Sequence, residues 1–485
     1  MKNKSLGLNA FMNGIRSVLN ILFPLITFPY VSRVLQVKGI GIYNFSNSIV
    51  SYFLLIAALG VNSYAIREGA KIRDNKVKIS RFASEIFTIN MTSTLIAYIL
   101  LFLCLIIFSQ LRNYLACIAI FSLQIFFSTF GVEWIYQIYE DYSYITIRSI
   151  LFQIISIILL FIFVRHTNDY LNYAAITVFS AVGSNVLNFI HSRKYCHIHL
   201  IWNFNWKKRL IPIFILFFAS IANMIYMNSD ITLLGLMKNN YVVGIYTVSS
   251  KIYQIVKTLI SAFLVVTVPR LAMLIGNRRM KEYNSILTRL TNILLTVTIP
   301  AATGVFMLAK EIILLISGAK FINSTSSLRI LCFAYVFSSL AWVLTDCVLI
   351  PAKREKYVLF SMGTSAVLNI IINVILIPFG NEDAAAFSTI IAELTMCIIN
   401  YYYTRDIVKD IFVSKTLFKT ILSSVVGSIG IVVVCLLCNL GFQSLILKVI
   451  CSVILSSIIY VVILILMKNE YIIFIIKNLK NKFSR

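Results

Sequence analysis

The chain has 485 residues, 59% of them hydrophobic and 13% charged, with a formal net charge of +25. Charged groups this scarce leave too little polar surface to cover a soluble globule, which excludes a soluble enzyme or binding module and marks a membrane protein. In a soluble chain the positive charge would suit nucleic acid, but here Lys and Arg gather in loops between apolar runs, so no nucleic-acid partner is expected.

Spanning a hydrocarbon core of about 30 Å takes roughly 20 helical residues. Fourteen apolar runs meet that length, at about 10–32, 41–66, 83–109, 113–138, 145–164, 171–191, 211–237, 241–269, 285–308, 327–350, 357–378, 384–404, 417–439 and 444–467. They are continuously apolar where barrel strands would alternate, and an open sheet would leave backbone groups unpaired in lipid, so helices are predicted throughout. Such runs recur to the end of the chain, so the first is expected to be a retained crossing. Pro24 and Pro29 are expected to bend it.

Most basic residues fall on one set of flanks: Lys2 and Lys4, the loop 67–81, Arg148, Arg193, 207–209, 270–289, 353–356, 405–419 and the tail from Lys468. The positive-inside rule then places both termini in the cytoplasm.

The chain also repeats itself. A shift of 203 residues pairs Gly41, Ile42, Tyr43, Ser46 and Arg67 with Gly244, Ile245, Tyr246, Ser249 and Arg270. The shift carries the first crossing onto the seventh and preserves orientation. It predicts two six-helix bundles, residues 1–191 and 211–404, related by a pseudo-twofold axis along the membrane normal. A cytoplasmic loop, 192–210, joins them, and 405–485 adds two helices and a basic tail.

Polar stripes cross the apolar runs. Asn9, Asn13, Arg16, Asn20 and Thr27 share one face of the first run, and Ser220, Asn223, Met227 and Asp230 share the matching face of the seventh. In the eighth, Thr247, Lys251, Gln254, Thr258 and Ser261 align with Asn44, Ser48, Ser51, Leu55 and Ala58 of the second, so a lysine stands where the first copy has Ser48. The Ser, Thr and Asn residues either hold helices together or line a cavity. The charged residues at depth, Arg16, Lys251, Asp230 and Glu393, line a pathway or pair across it. Lys257 lies one face from Lys251 and can snorkel along its stem. Arg67 and Arg270, at cytoplasmic helix ends, are topology anchors or gate residues. Glu133 and Asp346 occupy corresponding places near the ends of the fourth and tenth crossings. Cys435 and Cys438, within an apolar run, read as packing residues. His191, His197 and His199 read as loop surface, so no metal site and no catalytic residue is expected.

Three stretches resemble one family: Phe23–Lys71, Phe130–Ser149 (FGVEWIYQIYEDYSYITIRS) and Asn228–Val256 (NSDITLLGLMKNNYVVGIYTVSSKIYQIV). They are similar to the Wzx-type O-antigen and polysaccharide flippases of the multidrug/oligosaccharidyl-lipid/polysaccharide (MOP) exporter superfamily. The resemblance implies an all-α, MATE-like integral membrane protein of the bacterial inner membrane, with about fourteen crossings and no enzymatic activity. Its cargo would be an oligosaccharide repeat unit linked by pyrophosphate to undecaprenol, moved to the periplasmic leaflet by alternating access. On this reading Arg16, Lys251 and Lys257 face the pyrophosphate, while Asn13, Asn20, Asn223 and Gln254 face sugar hydroxyls. Asp230 and Glu393 become candidates for proton or sodium coupling, with no other cofactor, and Arg67 and Arg270 candidates for gates. Other polysaccharide-assembly proteins are implied as partners. A multidrug antiporter of the same superfamily and a polysaccharide polymerase are the rival readings. The first would favour an acidic lumen, and the second a larger external domain than these loops provide.

Overall fold

A computed structural model describes residues 6–265 and 267–473, and among the described residues it is helical with no strand. The apolar runs become helices because every backbone group of a helix is satisfied within its own segment. Where polar loops meet helices, side chains cap them: Asn75, Asn205 and Ser414 accept the amides of Lys78, Lys208 and Leu417.

The chain divides into two compact units, Met1–Gly244 and Ile245–Arg485. The expected loop boundary at 192–210 lies upstream of that division. In order, the first unit holds α1 (Leu6–Ala58), α2 (Val61–Ala70), α3 (Lys76–Ile107), α4 (Leu115–Thr129), α5 (Glu133–Ile138), α6 (Tyr142–Phe163), α7 (Tyr170–Val182), α8 (Asn185–Ser192) and α9 (Trp206–Met237). Next, α10 (Asn240–Val265) straddles the division. The second unit continues with α11 (Val268–Gly276), α12 (Met280–Met307), α13 (Ala309–Ile316), α14 (Ser324–Trp342), α15 (Glu355–Phe412), α16 (Lys415–Gly441) and α17 (Leu445–Leu466).

Eleven described helical segments are long and apolar enough to cross a membrane. Two of them do double duty. At about 1.5 Å per residue, the 58 residues of α15 would run about 87 Å if straight, nearly three hydrocarbon cores. Instead α15 breaks at Asn381 (φ 46°, ψ −128°), between the expected crossings 357–378 and 384–404. In the same way α1 breaks at Gln36 (φ 57°, ψ −174°), while Pro24 and Pro29 lie inside the helix. Gln36 sits between Leu35 and Val37, 1% and 5% exposed, and that packing holds a left-handed non-glycine residue in place. With α10 covering 241–265, each expected crossing falls on a helix.

The first unit packs Ala65, Ile79, Phe82, Ile86, Trp134, Ile135, Ile145 and Ile213 into one core. An extended connection is strapped onto α3: the amides of His197, His199 and Ile201 donate to Ser80 Oγ (3.1 Å), Ser84 Oγ (3.2 Å) and Thr88 Oγ1 (3.0 Å). Four helical residues rise about 6 Å and two extended residues about 6.6 Å, so alternate amides meet the hydroxyls carried on every fourth residue of α3. In the second unit α14 packs on α15 and α12, and α16 on α17 and α12. The Tyr460 hydroxyl of α17 donates to the Thr296 carbonyl (2.7 Å), which ties the last helix to α12.

Candidate functional site

Asn13, Arg16 and Asn20 lie on the first half of α1, and their side chains are outside the described residues. The second half of α1 meets α9 through hydroxyls. Tyr52 Oη lies 3.2 Å from Thr232 Oγ1, which donates to Ser48 Oγ at 3.2 Å, and Ser48 donates to the Phe45 carbonyl at 2.8 Å. Asp230, half-buried on α9, lies within electrostatic reach of Tyr52, whereas Asn223 is exposed. Ser48 is therefore helix-to-helix glue in the first unit.

Its repeat partner is different. Lys251 is half-buried on α10, and among the described residues no hydrogen bond or ion pair engages its ammonium. Gln254, also half-buried, follows on the same face and accepts the Thr258 hydroxyl at its carbonyl (2.8 Å). Lys257 is paired: its Nζ lies 2.5 Å from Glu393 Oε1 on α15 and 5.6 Å from the centre of the Tyr253 ring. The Tyr253 hydroxyl donates to the same carboxylate oxygen at 3.1 Å. Tyr335 of α14, fully buried, stacks on Tyr253 at 4.8 Å. The sequence brought out Lys257 and Glu393 separately but not Tyr253, although Tyr253 precedes Lys257 by four positions, the spacing of helical neighbours.

The two units keep equivalent neutral bonds. Tyr43 Oη meets Thr177 Oγ1 at 3.0 Å in the first, and Tyr246 Oη meets Thr389 Oγ1 at 3.4 Å in the second. Asn188 donates to the Gly131 carbonyl (2.9 Å), and Asn400 to the Ala341 carbonyl (3.3 Å). Thr177 and Asn188 map onto Thr389 and Asn400 by one offset of 212, which carries Ala181 onto Glu393; the 203 offset carries Leu54 onto Lys257. The second unit thus holds an ion pair where the first has Leu54 and Ala181.

Near the ends of the fourth and tenth expected crossings the regular α-helix is interrupted in both units, by a break in the first and by a π-helical stretch in the second. Val132 (φ 36°) separates α4 from α5, and α14 passes into a π-helical stretch, Val343–Leu349, that carries Asp346. Glu133, opening α5, pairs with Arg148 at 2.7 Å, and Arg148 is 8% exposed. Arg67 and Arg270 are exposed; Arg67 meets Glu68 at 3.1 Å and lies over the Tyr64 ring.

Between helices, burial pushes the Cys196 thiol up to about 12, which keeps it protonated and unreactive at neutral pH. Burial, and next the hydrogen bond to Asp141 (2.5 Å), hold the Tyr195 hydroxyl well above the usual tyrosine value. His191 stacks on Tyr136 and Tyr144, while His197 and His199 bear the amides of the strap. Cys435 and Cys438 are buried against neighbouring helices.

Residues 6–275, more than half of the chain, match the family model described as polysaccharide biosynthesis protein. The chain belongs to this family. A candidate O-antigen transporter of Escherichia coli (strain K12) is 24% identical over 269 residues, 54% of this chain and 64% of that protein. A Shigella dysenteriae protein of the same description is 22% identical over 342 residues, 70% of this chain and 84% of that protein. The chain therefore spans somewhat less than two thirds of the Escherichia coli relative. Among solved structures, the lipid II flippase MurJ in an inward closed conformation superposes with a TM-score of 0.70 at 14% identity, covering 94% of this chain and 98% of MurJ. An inward-facing multidrug resistance MATE family transporter of the MOP superfamily gives a TM-score of 0.63 at 12% identity, covering 80% of this chain and 96% of that one. The family member is thus a multi-pass membrane protein with the fold of MOP-type transporters.

Proposed function

We propose that this protein is a flippase that moves undecaprenyl-pyrophosphate-linked oligosaccharide repeat units, for O-antigen, capsule or exopolysaccharide, across the bacterial inner membrane by alternating access. Both termini would be cytoplasmic, and other polysaccharide-assembly proteins would act alongside it. The observation that carries the reading is Lys251. A half-buried ammonium with no internal counterion among the described residues needs an anion, and a pyrophosphate provides one whose attraction is stronger away from bulk water. Arg16 would supply a second cation, and Asn13, Asn20, Asn223 and Gln254 would face sugar hydroxyls. Asp230 and Glu393 would couple transport to protons or sodium, and Arg67 and Arg270 would gate it. Family membership and the O-antigen description of both relatives support this cargo class. An organic-cation antiporter is served less well, because Lys251 repels such a cargo.

The test is translocation of a labelled undecaprenyl-pyrophosphate saccharide in proteoliposomes. Lys251→Ala should slow it about tenfold or more, matching the 1.5–3 kcal/mol of a charge-assisted hydrogen bond. Unchanged rates in Arg16→Ala and Lys251→Ala, with folding intact, would overturn the anion site. Transport of an organic cation in place of the lipid would favour the antiporter.

A further inference from the structure

The Lys257–Glu393 pair is asymmetric in a way that suggests a use. The lysine side chain is 23% exposed and the carboxylate 3%. On α10, Lys257 follows Gln254 by three positions and Tyr253 by four, so it borders both the polar face of Lys251 and Gln254 and the buried face of Tyr253. One end of the pair is thus reachable from the polar face and the other is sealed between helices. The pair is also particular to the second unit, since its equivalents are Leu54 and Ala181.

We propose that the anionic head group of the substrate exchanges with Glu393 for the Lys257 ammonium, and that Glu393 takes up one proton as the lysine leaves it. This rests on the anion site proposed above and adds a stoichiometry. Among the described residues Lys257 is the only cation within ion-pair distance of Glu393. The other titratable groups around the carboxylate are Tyr253 of α10, Tyr335 of α14 behind it, and Cys397 one turn along α15. None of these supplies a positive charge. A carboxylate this deeply buried that loses its counterion is neutralised sooner than it persists as a buried anion. The charges balance: the lysine stays protonated and faces the substrate anion, the proton comes from solution, and Tyr253 keeps its place beside the acid. Release of the anion lets Lys257 return and expels the proton.

The experiment adds inorganic pyrophosphate to the purified full-length protein in weakly buffered solution and follows proton uptake with an indicator dye, with binding measured calorimetrically. Wild type should take up about one proton more per bound pyrophosphate than Glu393→Gln, which keeps the shape of the side chain. The double variant Lys257→Leu with Glu393→Ala restores the first unit's residues and leaves neither member of the pair as an unpaired charge, so it should fold and also lose the extra proton. Equal proton counts in wild type and Glu393→Gln, with pyrophosphate bound by both, would overturn the exchange and leave the anion site standing. Absence of pyrophosphate binding in wild type would overturn the anion site and the exchange with it.

Discussion

Gly41→Ala is the sharpest available perturbation of the first unit. A β-carbon at Gly41 would lie 1.9 Å from the Asn240 carbonyl oxygen and 2.7 Å from its carbon. At the repeat-equivalent Gly244 it would lie 2.1 Å from the Val37 carbonyl oxygen. The 203 shift carries Val37 to Asn240 and Gly41 to Gly244, so the repeat exchanges these two contacts. Real β-carbons essentially never approach within 3.0 Å, so the backbones would have to part by at least about 1.1 Å. Neither obstacle is a flexible side chain. Overpacking of this kind costs about 1–3 kcal/mol, or roughly 2–12 °C of melting temperature for a unit of this size. Apparent melting of the detergent-purified protein reads the effect, with Gly304→Ala and Gly363→Ala as controls because nothing lies within 4 Å of either. The Gly41→Ala/Gly244→Ala pair should cost less than the sum of the singles, since the separation forced by one relieves the other. If Gly41→Ala melts with the controls, the two backbones do not cross this closely.

Glu85, 6% exposed, pairs with Arg209 at 2.7 Å and with Arg81 at 3.4 Å, so Glu85→Gln should lower the melting temperature clearly. Glu68→Gln, which removes a surface pair with Lys71, should change stability by no more than about 1 kcal/mol, and a reversed order would refute the argument. Replacing Ser80, Ser84 and Thr88 together by Ala should release the strap, read as new proteolytic cleavage within 197–205; unchanged cleavage would mean that the three amide bonds do not hold it. At the turn before α7, the Arg165 and His166 amides donate to Asp169 and hold its carboxyl below the usual value. Its stabilising effect is therefore complete above about pH 4 and lost as pH falls through the lower folded value, so protection of those amides from hydrogen exchange should drop in acid. Asp169→Asn should abolish that pH dependence, and an equal drop in the variant would refute it.

The helices were legible because lipid removes alternatives: a long apolar run has few other ways to satisfy its backbone. Continuity across the turns was not. Gln36 carries no glycine or proline signal, and its left-handed backbone is held by packed neighbours that no local pattern encodes, whereas Pro378 and Gly380 mark the break at Asn381. Lys251 was legible through the repeat, as a cation aligned with Ser48. The pairing of Lys257 with Glu393 was not, because it joins residues 136 positions apart on helices whose mutual rotation no single stripe specifies.

The repeat supplies what the stripes lack. The neutral bonds, tyrosine to threonine and asparagine to carbonyl, appear in both units at equivalent positions, as expected of contacts that hold membrane helices together. Lys251, Lys257 and Glu393 have no charged equivalents: Ser48, Leu54 and Ala181 stand in their places. Since the first unit folds without those charges, the fold alone does not require them in the second. A buried ion pair is seldom a net source of stability compared with apolar residues of similar volume. The physical case for the proposed function therefore rests on the difference between the copies: what they share holds helices together, and the charges that only the second carries are the ones the proposal assigns to the cargo.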